Sequence, residues 1–146
     1  KRQQEGSGWL RHFSVVDGQG MVYLKRAGIE LGIITAAGEN NSILERFKIL
    51  GINYLEMGTK NKLEVLTSWK DQLNLNWNEI SYMGDDVPDF ECIEKVGFSA
   101  TVTNAILPIR NIAHHVFESP AGNGAVREFC DLLLLSKGIH PLQDHY

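Results

Sequence analysis

Three kinds of polar group stand at or just after the ends of short apolar runs in this sequence. Thr35 follows Ile33-Ile34, Lys62 comes shortly after Tyr54–Met57, and Asp85, Asp86 and Asp89 follow residues 80–83. Hydroxyl and ammonium donors hold phosphoryl oxygens. Hard carboxylate oxygens hold Mg²⁺, which keeps several waters and takes few protein ligands. The set therefore suits a phosphate and a divalent cation bound side by side. Each residue alone has an ordinary reading: Thr35 as a strand-end cap, Lys62 as a solvated helix residue, Asp89 as a helix N-cap. In order, at successive strand ends, a shared site explains them better.

The most specific piece is Gly84-Asp85-Asp86-Val87-Pro88-Asp89. Adjacent acids repel, so a cation or hydrogen-bond donors nearby would favour keeping both ionised. Gly84 has no side chain and lets a ligand come close to the backbone. Asp89 stands where a helix begins, placed both to cap it and to hold Lys62 or a metal-bound water.

These groups meet only if separate loops reach one rim, and the apolar patterning predicts such a fold. Short apolar runs alternate with helical patterns, the sign of βαβ units and a parallel sheet. Strands are expected at 29–35, Tyr54–Met57, 80–83, 99–102 and 115–118. Helices are expected at 20–27, 42–50, 61–73, 89–96, 108–113 and Ala125–Ser136. Residues 9–15, after the turn-like Glu5-Gly6-Ser7-Gly8, read as one arm of a β-hairpin. The expectation is a single α/β domain, a doubly wound parallel sheet with a small hairpin. Ligands of such sheets sit beyond the carboxyl ends of the strands.

Composition bounds the alternatives. The 146 residues are 43% hydrophobic and 22% charged, enough for one core and too apolar for a disordered chain. Fourteen basic against eighteen acidic residues give −4, so no overall basic charge is available to collect nucleic-acid phosphates. No apolar run approaches the roughly 18 residues of a membrane span. Two cysteines, Cys92 and Cys130, are too few for a disulfide scaffold and suit a reducing, cytoplasmic setting. Both fall among apolar neighbours and read as buried thiols. His114-His115 lies at a strand start, where neighbours face opposite ways, which argues against a two-histidine metal site. Gly122-Asn123-Gly124 reads either as a plain helix lead-in or as amides able to bind an anion.

Several segments carry a family resemblance. They are Ser14-Val15-Val16-Asp17-Gly18-Gln19-Gly20-Met21, Ala27-Gly28-Ile29-Glu30 through Thr35, Gly58 to Glu64, Tyr82 to Asp89, and Gly122 to Glu128. Together they resemble the haloacid-dehalogenase superfamily. Within it the chain resembles the small cap-less phosphatases of 3-deoxy-D-manno-octulosonate 8-phosphate, and also the phosphatase-like C-terminal domain of CMP-sialic acid synthetases. The resemblance implies a Rossmann-like fold, Mg²⁺, a sugar-phosphate substrate and a homotetramer. It assigns Thr35 and Lys62 to the phosphate, Asp85 to Mg²⁺ with Asp86 and Asp89 in support, and Arg127 to a neighbouring subunit's site. The octulosonate family follows its threonine with Gly and Arg, where Ala36 and Ala37 stand here, so the sugar stays open.

The superfamily's nucleophile belongs to an Asp-x-Asp motif on a central strand ahead of the hairpin. No Asp precedes Asp17, and Asp17 matches a later segment. The expectation is that about 15–25 residues, one strand and its loop, precede Lys1. Two readings of function follow. One is a Mg²⁺-dependent phosphomonoesterase for a sugar-acid phosphate, using Thr35, Lys62 and Asp85. The other is a non-catalytic tetramerisation domain of a CMP-sialic acid synthetase, to which Trp69 and Trp77 point. The apolar Trp9, Leu10 and Phe13 of the hairpin arm add to the expectation of subunit contacts.

Overall fold

Among the described residues every strand pair beyond the first hairpin is parallel. The computed structural model describes residues 2–5, 8–38, 41–140 and 142, and for residues 2–5 and 8–11 the backbone alone. β1 (Arg2–Glu5) and β2 (Gly8–Arg11) pair antiparallel, with Arg2 opposite Arg11 and Glu5 opposite Gly8. The turn residues Gly6 and Ser7 and the side chains of Trp9 and Leu10 lie outside the described residues.

The hairpin arm expected to reach residue 15 ends at Arg11, and a helix expected from residue 20 begins earlier, as α1 (Val15–Arg26). Ser14 caps it, its hydroxyl accepting the Asp17 N–H at 3.2 Å. Gly18 and Gly20 weaken the helical signal in the sequence, since glycine is a poor helix former. Packing outweighs that tendency. A Cβ on Gly20 would lie 2.9 Å from Arg127 Cδ and 3.0 Å from Cys130 Cβ, so the bare backbone lets α1 lie close on the last helix.

β3 (Gly32–Thr35) starts later than residue 29, because the Ile29 N–H closes α1 on the Leu24 carbonyl at 3.0 Å. The remaining elements fall within a residue or so of expectation. They are α2 (Asn41–Ile49), β4 (Tyr54–Met57), α3 (Lys62–Gln72), β5 (Ser81–Met83), α4 (Phe90–Lys95), β6 (Phe98–Val102), α5 (Leu107–Ile112), β7 (His115–Phe117) and α6 (Ala125–Ser136). Short 3₁₀ turns at Trp77–Glu79 and Val87–Asp89 were not apparent from periodicity.

The sheet comes in two pieces. β3 pairs with β4, Thr35 opposite Met57, and β5, β6 and β7 pair in that order, with Ser81 opposite Phe98 and Ala100 opposite His115. Among the described residues β3 and β5 each pair on one edge only. Side chains bridge them instead: Ile34 of β3 and Tyr82 of β5 meet in one cluster with Leu66, Cys92 and Val96. Leu31, just ahead of β3, packs into a second cluster with Leu24 of α1 and Leu134 of α6. Helices thus cover the sheet from both sides, the doubly wound arrangement. β6 is the innermost strand, with Ser99, Ala100 and Thr101 fully buried. Its polar side chains are satisfied: Thr101 donates to the Gly84 carbonyl at 2.7 Å, and Ser99 meets His114 Nδ1 at 3.0 Å. Among the described residues no helix is long and apolar enough to cross a membrane.

Candidate active site

Lys62 opens α3 directly after Asn61, whose side chain accepts the Glu64 N–H and caps the helix. From there its ammonium reaches Asp89 Oδ1 at 2.6 Å. Lys62 follows β4 and Asp89 follows β5, so this ion pair sets the carboxyl ends of both sheet pieces on one rim. Both side chains are largely out of water, at 13% and 3% exposure. A buried ion pair persists only where further hydrogen bonds satisfy its remaining lone pairs.

Asp89 meets that condition with four donors. Oδ1 accepts from Lys62 Nζ and from the Tyr82 hydroxyl, each at 2.6 Å. Oδ2 accepts the backbone N–H groups of Asp85 at 3.0 Å and Asp86 at 3.1 Å. The turn can wrap the carboxylate this closely because residue 84 is glycine: a Cβ there would lie 2.3 Å from Asp89 Cγ. Asp86 accepts the Val87 N–H at 2.8 Å and shapes the start of the 3₁₀ turn.

The electrostatics separate the acids. Burial by itself would raise the Asp89 pKa, but the hydrogen bonds from Lys62 and Tyr82 and the charge of Lys62 carry it below the usual carboxylate range. Asp85 goes the other way. Burial first, and then the neighbouring Asp89 charge, raise its pKa, with Lys62 offsetting part of the effect. Burial and the Asp89 carboxylate also push the Tyr82 hydroxyl upward, so it stays protonated and donates.

Thr35 ends β3 beside this rim. The Gly58 N–H, four residues before Lys62, donates to the Thr35 carbonyl at 2.9 Å. The Thr35 hydroxyl accepts the Ala37 N–H at 3.1 Å, which leaves its own proton to donate. No hydrogen bond joins Thr35 to Lys62 or Asp85 among the described residues. Thr35 at the end of β3, and Lys62 and Asp85 beyond the ends of β4 and β5, lie toward the carboxyl ends of the parallel strands. Among the described residues a hydrogen bond joins Lys62 to the aspartate turn but none joins Thr35 to it.

The acids are engaged differently within the chain. Asp89 accepts from four donors and Asp86 accepts the Val87 N–H, so both carboxylates already serve the turn. The Asp85 carboxylate makes no hydrogen bond to another residue among the described residues. No three His, Cys, Asp or Glu side chains there converge as metal ligands. One carboxylate fits a Mg²⁺ that retains most of its waters.

Arg127 lies elsewhere, on α6. Its Nε binds Asp131 at 2.8 Å and its guanidinium stacks over Tyr23, so within this chain it serves the α1–α6 contact. The open question at Gly122-Asn123-Gly124 also closes. Asp17 of α1 is buried and accepts the Arg127 N–H at 2.9 Å and the Gly124 N–H at 3.4 Å, so the anion at this helix start belongs to the protein itself. Asp17 is thus a cap between helices, consistent with setting it aside as a nucleophile.

Sequence reasoning missed Tyr82 and Thr101. A signal existed for the tyrosine, since a phenol in a buried strand must find a hydrogen-bond partner.

The family model for haloacid dehalogenase-like hydrolases matches residues 32–129, a stretch that includes Thr35, Lys62, Asp85 and Asp89. The chain belongs to this family. A relative in Escherichia coli, 3-deoxy-D-manno-octulosonate 8-phosphate phosphatase, is 38% identical over 130 residues, covering 88% of this chain and 68% of the relative. The crystal structure of the Moraxella catarrhalis enzyme of the same name, in complex with magnesium ion, phosphate ion and KDO, superposes with a TM-score of 0.89. It is 33% identical, over 93% of this chain and 78% of that one. A haloacid-dehalogenase-superfamily (subfamily III A) hydrolase structure from Legionella pneumophila superposes at 0.90 with 37% identity, over 94% and 76%. The parallel Rossmann-like fold expected from the sequence is thereby established for this member of the hydrolases.

Proposed function

We propose that the protein is a Mg²⁺-dependent phosphomonoesterase acting on a sugar-acid phosphate, with 3-deoxy-D-manno-octulosonate 8-phosphate as its substrate. The observation that carries this reading is the Lys62–Asp89 pair, which fixes an ammonium beside the Asp85 turn on the rim where Thr35 ends its strand. The names of the relatives supply the sugar. Ala36 and Ala37 follow Thr35, so recognition of the sugar falls to other residues.

In this reading Lys62 and the Thr35 hydroxyl hold phosphoryl oxygens and set the phosphorus in line for attack. Asp89 keeps the Lys62 ammonium charged and in place. Asp85 is the residue that would hold Mg²⁺, which when bound offsets the negative charge of the phosphoryl oxygens. The chemistry also requires a carboxylate nucleophile, with a second aspartate two residues on to protonate the leaving oxygen. Among the described residues β3 and β5 each have an edge without a strand partner, and a strand carrying both carboxylates would fit there.

A cytoplasmic homotetramer completes the proposal. It is supported by the exposed Val15 and Val16 and the half-exposed Phe13, which meets Phe47 edge-on. Light scattering on the intact protein tests it, and a monomer at micromolar concentration would contradict it. Arg127 would then act in a neighbouring subunit's site.

The assembly-domain alternative is not supported by the likenesses above, which are to phosphatases and hydrolases. Its two tryptophans have packing roles here: Trp69 lies edge-on to Tyr54 and against Gly32, and Trp77 joins the Leu66 cluster. Phosphate release from the octulosonate phosphate by the intact protein, with Mg²⁺ and with a chelator in its place, tests the activity. Metal-dependent release is expected. Absence of release with Mg²⁺ would overturn the reading.

A further inference from the structure

We propose that Tyr82 is a positioning residue for the phosphate-binding ammonium of Lys62, acting through the Asp89 oxygen that the two side chains share. The inference rests on the reading of Lys62 given above and goes beyond it. Two donors converge on Asp89 Oδ1, the Lys62 ammonium and the Tyr82 hydroxyl, both at 2.6 Å. The other oxygen is taken by the amides of Asp85 and Asp86. The backbone of the aspartate turn therefore sets one side of the carboxylate, and the tyrosine sets the other. With both sides fixed, the place of the ammonium is fixed too.

Sharing also sets how strongly the carboxylate holds the lysine. A hydrogen bond from Tyr82 draws charge from Oδ1, which leaves less for the ammonium. Without the phenol, the same oxygen would hold Lys62 as its sole side-chain partner and draw it inward, away from an arriving anion. The ring has a separate task. It packs with Leu66, Cys92 and Val96, a role that phenylalanine would fill equally. Tyr82→Phe thus separates the hydroxyl from the packing.

The experiment uses the intact protein with Mg²⁺ and inorganic phosphate as the probe. Affinity is measured by calorimetry and as a competitive inhibition constant, in Tyr82→Phe, Lys62→Ala and the double variant, and urea midpoints are recorded on the same samples. Tyr82→Phe is expected to weaken phosphate about five- to tenfold, the scale of one ordinary hydrogen bond, since the phenol reaches the phosphate only through Asp89 and Lys62. Lys62→Ala is expected to weaken it more, and the double variant no further than Lys62→Ala alone, because the tyrosine acts only through the lysine. Unchanged phosphate affinity in Tyr82→Phe, with Lys62→Ala weakened, overturns the proposal and leaves the phosphatase reading standing. The same holds if Tyr82→Phe costs an equal factor with and without Lys62, since a purely structural role would produce that result. Unchanged affinity in Lys62→Ala overturns both.

Discussion

Asp89→Asn changes almost nothing in shape and strips the centre of the site of its charge. Asparagine keeps one acceptor oxygen and replaces the other with an NH₂ donor. If its oxygen faces Lys62 and Tyr82, the NH₂ meets the N–H groups of Asp85 and Asp86; if it turns, the NH₂ meets the ammonium and the phenol. Either way two buried donors lose their partner. Removing one member of a buried ion pair costs about 3–5 kcal/mol, and an orphaned buried donor about 1–3 kcal/mol. These overlap, because Lys62 is among the affected donors, so about 4 kcal/mol is the expected loss. That is a large share of the roughly 5–15 kcal/mol that holds a domain folded. Urea unfolding of the intact protein at pH 7 measures it as a lower midpoint at unchanged slope. The effect has a pH signature. The folded protein holds the Asp89 pKa below the ordinary carboxylate value of about 4. Its contribution is therefore complete above that pH and fades as the pH falls through the folded value. The gap between wild type and variant should close on acidification. A loss under about 1 kcal/mol at pH 7 would refute the reasoning, since a buried pair would have cost far more.

Other substitutions separate function from scaffold. Asp85→Asn removes a carboxylate whose charge burial disfavours. It should keep the fold, lose phosphate release and abolish any rise in Tm on adding Mg²⁺, all read by activity and thermal melts. Asp17→Ala removes the cap from the start of α6 and should lower urea stability by about 1–2 kcal/mol. Cys92 and Cys130 are buried, their thiols pushed up to about 11 and about 12 by burial. A thiol-specific reagent at pH 8 should leave both untouched until the protein unfolds.

The alternation of apolar runs made most strands and helices legible, because parallel strands covered on both faces read as uninterrupted apolar stretches. It failed where packing outweighed local preference. α1 carries two glycines that weaken its helical pattern, and it forms because α6 lies against Gly20 and Arg46 of α2 against Gly18. The site was legible in part. Lys62 and the Gly84–Asp89 run stand out by residue type and position. The division of labour among Asp85, Asp86 and Asp89 does not, because it depends on which amides and side chains reach each oxygen. Tyr82 escaped notice for the same reason: its partner is set by how β5 packs. The pairing of Arg127 with Asp131 one turn on in α6 is a further contact that the motif does not spell out.

A crystal structure of the intact protein soaked with orthovanadate and Mn²⁺, in place of phosphate and Mg²⁺, tests most directly whether Thr35, Lys62 and Asp85 form one site. Vanadate oxygens are expected within hydrogen-bonding distance of Thr35 Oγ1 and Lys62 Nζ, and Mn²⁺ bound to the Asp85 carboxylate, with Asp89 still on Lys62 and Tyr82. An anion seated away from Lys62, or a metal bound by Asp89 and not Asp85, would contradict this.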